Sequence, residues 1–215
     1  MSVSRLTFLS AVAAAPLGRL VAPMETEPAR PCARCVLSES RAGFARAMTG
    51  EEPGGVFVVP AACGWDGSVP WRVRSGQVVI FESAGGFGDE GERAEQRRGL
   101  ERAFDLRIGE PIALWEDGRR PSYVEYEWPV PARVRDFSVV TPVRGGRTIG
   151  RVDGVDVAAL VRVGEGALVF IGSPLGPGLW TGETEALSWL AAVRVAALGG
   201  CRRASATPAP AFEVA

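Results

Sequence analysis

The side chains able to do chemistry in this chain are few in kind, and three of them crowd one stretch, "FESAGGFGDEGE". Glu82 closes an apolar run, and Asp89 and Glu90 follow a glycine-rich turn. Neighbouring carboxylates can share acid–base work or hold a hard cation, since both tasks need only oxygen. The solvated alternative is a helix whose first turn is acidic to suit its dipole. The stretch also carries Gly86-x-Gly88-x-x-Gly91, the spacing of a dinucleotide loop, with Glu110 roughly where such a loop places its ribose-binding acid. Placement and charge oppose that reading. Four residues, Glu82 to Gly85, separate "VVIF" from Gly86, and Asp89, Glu90 and Glu92 put negative charge where a diphosphate would sit. Nucleotide binding therefore ranks third, behind a binding role and a carboxylate-dependent, metal-assisted hydrolase.

Much of the usual catalytic repertoire is missing. The 215 residues contain no His, and every basic side chain is Arg. Nucleophile–imidazole pairs, Schiff bases and phosphate-loop lysines are thereby excluded. The four cysteines are Cys32, Cys35, Cys63 and Cys201. Cys32-x-x-Cys35 follows a Pro-rich stretch and not a strand, so disulfide or idle thiols are expected ahead of redox or zinc chemistry. Cys63, without a base, reads as a small buried hydrophobe. No cofactor and no metal are expected. Of the six tryptophans, Trp65 and Trp71 flank a loop near the supposed ligand edge, where exposed indoles could stack on a sugar or a partner; packing in the core is the alternative.

The elements that must position these groups follow from the apolar patterning. Residues 1–22 carry Arg5 and then an Ala-rich apolar stretch too short to span a bilayer. They read as a signal-like or apolar N-terminal segment, which points to an exported or periplasmic location, with a cytoplasmic one as the alternative. Residues 23–52 hold a Pro-rich linker and a helix over 36–48. The folded domain spans 53–199, and 200–215 read as a disordered tail. Short apolar runs at 55–62, 76–83, 110–115, 123–130, 137–143, 156–164 and 167–173 predict strands. Helices are predicted at 90–104 and at 183–198, the latter capped by Thr181. The fold class is α/β, with a mostly parallel sheet, flanking helices and an inserted antiparallel β portion. A net charge of −1 gives no electrostatic attraction to nucleic acid, and any membrane link would run through the N-terminal segment.

The phrases "VFVVPAACGW", "VRSGQVVIFESAGGFGDE", "VRVGEGALVFIGSPLGPGL" and "EALSWLAAV" occur in an order that resembles the class I glutamine amidotransferase-like superfamily. They are most similar to its non-catalytic relatives, the β-galactosidase trimerisation-like and trehalose-utilisation-like domains. The resemblance covers about residues 53–198 and implies a flavodoxin-like fold. Active members place a Cys on a strand-to-helix elbow beside a His and a Glu. The resemblance puts Ser83 or Ala84 near the nucleophile position, and with no His glutamine hydrolysis is excluded. The implied function is a catalytically silent binding or accessory module for a carbohydrate-type ligand or a protein partner, with homo-oligomer formation open. Its ligand residues would be Ser83, Gly85, Gly86, Trp65, Trp71 and Ser173 at the carboxyl edge of the sheet. The hydrolase alternative would use Glu82 with Asp89 or Glu90.

Overall fold

The run "VVIFES" forms a strand buried along its whole length, and its alternation divides the molecule. Val78 and Ile80 enter one apolar cluster, Val79 and Phe81 the other. The computed structural model describes residues 33–48, 55–114, 122–136 and 138–204. The signal-like segment 1–22, the Pro-rich linker with Cys32, Trp115 and the tail from 205 lie outside the described residues.

In chain order the elements are α1 (Ala33–Ala47), β1 (Val56–Ala62), α2 (Val69–Arg74), β2 (Val78–Ser83), α3 (Glu90–Phe104), β3 (Arg107–Ile108) and β4 (Ile112–Ala113). There follow β5 (Ser122–Tyr126), β6 (Ala132–Asp136), β7 (Val139–Val140), β8 (Val143–Arg144), β9 (Arg147–Val152), β10 (Val155–Val163), β11 (Gly166–Ile171), α4 (Gly176–Thr181) and α5 (Thr184–Ala204). A single 3-10 turn, Gly85–Phe87, links β2 to α3. Among the described residues no helix is long and apolar enough to cross a membrane.

Seven strands form one sheet in the order β1-β2-β11-β10-β9-β5-β6, with β3-β8 and β4-β7 as two small pairs beside it. The α/β class and the antiparallel portion hold, but the expectation of a mostly parallel sheet is corrected. Only β1-β2 and β2-β11 are parallel, while β11-β10, β10-β9, β9-β5 and β5-β6 are antiparallel. Connection length is the reason. The six-residue α2, with a proline in its first turn, suffices to cross from β1 to β2. Between β9 and β10 the chain has only Asp153-Gly154, both at positive φ (48° and 82°), a two-residue turn that forces an antiparallel hairpin.

Helices α1, α4 and α5 cover one face through Phe44, Leu175, Leu179, Ala186, Trp189, Leu190 and Val193. Helices α2 and α3 cover the other through Val69, Val73, Leu100 and Phe104. Gly99, a poor helix former in α3, is required by packing, since a Cβ there would lie 2.2 Å from the Trp65 ring. The predicted cap of the last helix is corrected as well. Thr181 ends α4, with its hydroxyl donating to Pro177 and Gly178 carbonyls, and α5 begins only at Thr184.

Candidate functional site

At the carboxyl end of β2, adjacent residues face opposite layers. Glu82 points to the α1/α4 side and is fully buried. Its Oε2 accepts from the Ser40 hydroxyl of α1 and from the Ala61 N–H at 2.9 Å. Its Oε1 accepts from the Gly176 N–H at 2.8 Å. The chain is shaped to allow this. β1 shifts register between Val59 and Ala62, and Ala61 takes φ 49°, a strained conformation in which its amide meets the carboxylate. Burial pushes the Glu82 carboxyl above its ordinary value, against the hydrogen bonds from Ser40, Gly176, Ala61 and Leu175 that hold it down.

Ser83 points to the α3 side. Its hydroxyl donates to Gln96 Oε1 at 2.6 Å, and Gln96 Nε2 donates on to the Ala62 carbonyl at 2.9 Å. The Gly85 N–H closes back on Ser83 Oγ at 3.2 Å. The predicted elbow is therefore stitched shut. Ala84 has an ordinary φ of −110°, not a strained nucleophile turn. Segment 138–142 roofs the glycines: a Cβ on Gly86 would lie 2.3 Å from Val139 Cγ1. Ser83 and Gly85 are thus buried in structural roles, and Gly86, part-exposed, is held close under Val139.

The acid pair of the hydrolase reading is not assembled. Asp89 caps α3 on the far layer, accepting from the Glu92 N–H at 2.8 Å while Glu92 Oε2 takes the Asp89 N–H at 3.0 Å. Glu90 is exposed on the first turn of the same helix. Neither shares a layer with Glu82. The same capping box corrects the nucleotide reading, because the protein's own carboxylates occupy amides a phosphate would need. Glu110, the expected ribose ligand, is exposed and paired with Arg97 at 2.6 Å.

The two tryptophans separate. Trp65 is part-buried and packs on the core of the α2/α3 layer against Phe81 and Phe104, with ring centroids 5.9 and 6.4 Å apart. Trp71 is 65% exposed on α2. Cys63 is half-buried beside the elbow, and burial, then the charge of Glu92, pushes its thiol up, away from nucleophilic use.

The open site lies elsewhere on the same sheet edge. A groove of about 530 Å³ runs between α1, α4 and the end of β6, lined by Val36, Glu39, Arg135, Asp136, Ser138, Pro174, Pro177, Gly178, Thr181 and Glu183. Asp136 is only 5% exposed. Its Oδ1 accepts from the Ser138 N–H and hydroxyl, both at 2.7 Å, and its Oδ2 accepts from the Ser173 hydroxyl. Ser173, predicted on the ligand edge, supports this network from behind: it is buried, and its neighbour Pro174 lines the groove. Glu183 accepts the Arg135 N–H at 3.2 Å. The walls are apolar and the polar groups are mostly carboxylate and hydroxyl oxygens, suited to accepting hydrogen bonds from a hydroxylated ligand. The sequence signal for Asp136 was the local D-x-S spacing, an Asx turn. Glu39 and Glu183 carried no signal, because only the tertiary fold brings them together.

The sequence matches no protein-family model and no curated protein. The fold is similar to an exo-β-1,4-mannosidase from Opitutaceae bacterium strain TAV5 (TM-score 0.50, 13% identity, covering 73% of this chain and 31% of that one). It is similar also to a β-galactosidase from Bacillus circulans sp. alkalophilus (TM-score 0.52, 11% identity, 76% and 27%). A cytoplasmic protein from Salmonella typhimurium LT2 is comparable over nearly its whole length (TM-score 0.50, 11% identity, 76% and 86%). The chain spans less than a third of either glycosidase. At such identity the likeness is one of fold alone, an α/β arrangement similar to part of each glycosidase chain and to most of the Salmonella protein.

Proposed function

We propose that this chain is a catalytically silent accessory module that binds a carbohydrate-type ligand in the groove between α1, α4 and β6. The observation that carries the reading is the groove itself, apolar-walled and open at the carboxyl edge of the sheet, with Asp136 held ready by Ser138 and Ser173. Support also comes from the chain's lack of His and Lys and from the closure of the elbow around Glu82 and Ser83, which leaves no activated nucleophile there. The glycosidase chains of similar fold make sugars the first ligands to test. With residues 1–22 as an export segment, the module would act outside the cytoplasm; an intact Met1 on the protein from its native host would overturn that part.

The test is a titration of the isotope-labelled chain with galactose, mannose, fucose and their short oligosaccharides, followed by amide shifts. Saturable shifts at Ser138, Thr181 and Glu183, with a rise in melting temperature, are expected. Shifts confined to the α2/α3 layer, or none with any sugar, would overturn the proposal.

A further inference from the structure

Resting on the reading of the groove as a binding site, we infer that Glu82 is its positioning residue: one buried carboxylate fixes the separation of the two helical walls, α1 and α4. The groove takes Val36 and Glu39 from α1 and Pro177, Gly178 and Thr181 from α4. Glu82 grips each wall one residue away from a lining residue. Ser40, next to Glu39, donates its hydroxyl to Oε2, and Gly176, next to Pro177, donates its N–H to Oε1. The Ala61 N–H on Oε2 anchors the same carboxylate to β1.

The tether works against a stop. A Cβ at Gly43 would lie 2.0 Å from the Gly176 carbonyl oxygen, and one at Gly176 would lie 2.3 Å from Ser40 Cα, so the two backbones already touch. Closer approach is barred by backbone contact, and wider separation breaks the bonds to Glu82. The groove width therefore has one value. Glu82 itself, wholly enclosed, meets no ligand.

The experiment measures width directly. Nitroxides are placed at Ser38 on α1 and Thr181 on α4, with the native cysteines changed to serine, and their distance distribution is read by pulsed electron resonance. Glu82→Gln and the milder Ser40→Ala are compared with the parent chain. A control pair on Arg74 and Arg98 reports the other layer. Both variants are expected to shift the groove distance outward and broaden it, leave the control pair unchanged, and weaken whichever panel sugar binds the parent by about tenfold, the scale of one lost charge-assisted hydrogen bond. An unchanged groove distance in both variants overturns the inference, and so does equal broadening of the control pair, which would mean general loosening. If the parent binds no sugar yet the groove distance shifts alone, the binding reading fails while the positioning of the walls by Glu82 stands.

Discussion

Glu82 and Asp136 are the same chemistry at the same edge of the sheet, and they are used differently. Each is a buried carboxylate that accepts from a serine hydroxyl, Ser40 in one case and Ser173 in the other. Glu82 is surrounded by donors that cannot reverse, the backbone amides of Ala61 and Gly176. The partners of Asp136 include the Ser138 amide and two hydroxyls, Ser138 and Ser173, that can turn to accept. Asp136 also borders open space, whereas Glu82 does not. The first arrangement joins two helices through fixed amides, and the second sets a carboxylate among hydroxyls at the border of the groove. Burial of an acid at a sheet's carboxyl edge does not by itself mark a catalytic group; the reversibility of its partners separates scaffold from site.

Amide substitution would break that comparison most sharply. Glu82→Gln must turn an NH2 group towards a backbone N–H on one side or the other, so a loss of about 3 kcal/mol is expected in urea unfolding. The same residue sets a pH dependence. Its carboxyl is raised in the folded state, so its contribution is full below the unfolded value of 4.5 and is lost as pH rises through the folded value. Unfolding midpoints of the parent should carry that fall, and Glu82→Gln should flatten it; an unchanged slope would mean that the hydrogen bonds outweigh burial. Gly176→Ala drives a methyl into Ser40 and should cost about 2–3 kcal/mol in the same assay.

Asp136→Asn should be milder, about 1 kcal/mol, since Oδ1 keeps both Ser138 bonds and Ser173 can reverse its hydroxyl. A loss as large as that of Glu82→Gln would erase the distinction. Asp89→Ala removes one cap of α3 and is expected to cost about 1 kcal/mol or less, with sugar-induced shifts at the groove unaltered. Altered groove shifts in that variant would show that the two layers communicate.

Strands β2 and β11 were legible because "VVIF" and "ALVFI" are apolar on both faces, and α3 was legible from its periodicity and acidic first turn. β6 and β9 were not, because "ARVRD" and "RTIGRV" alternate with arginine and carry no apolar run. The parallel-sheet expectation failed on a signal that was present, the Asp153-Gly154 pair between valines. Glu82 stands out in the sequence as a carboxylate within a wholly buried strand, which marks it as a candidate without showing its surroundings. Its partners Ser40 and Gly176 lie 42 and 94 positions away, so the sequence could show a carboxylate ending a buried strand but not what encloses it. Asp136 and Ser138, two positions apart, were within reach of local reading; the groove around them was not.

The outer edge of β6 has a consequence for association. Its N–H groups at Arg133 and Arg135 are taken by the side chains of Glu185 and Glu183 on the turn into α5. A foreign strand seeking to extend the sheet there would first have to displace two carboxylates and then leave them beside its own backbone carbonyls. The turn into α5 thus closes this edge of the sheet with carboxylates, a charged cover that disfavours pairing with another strand.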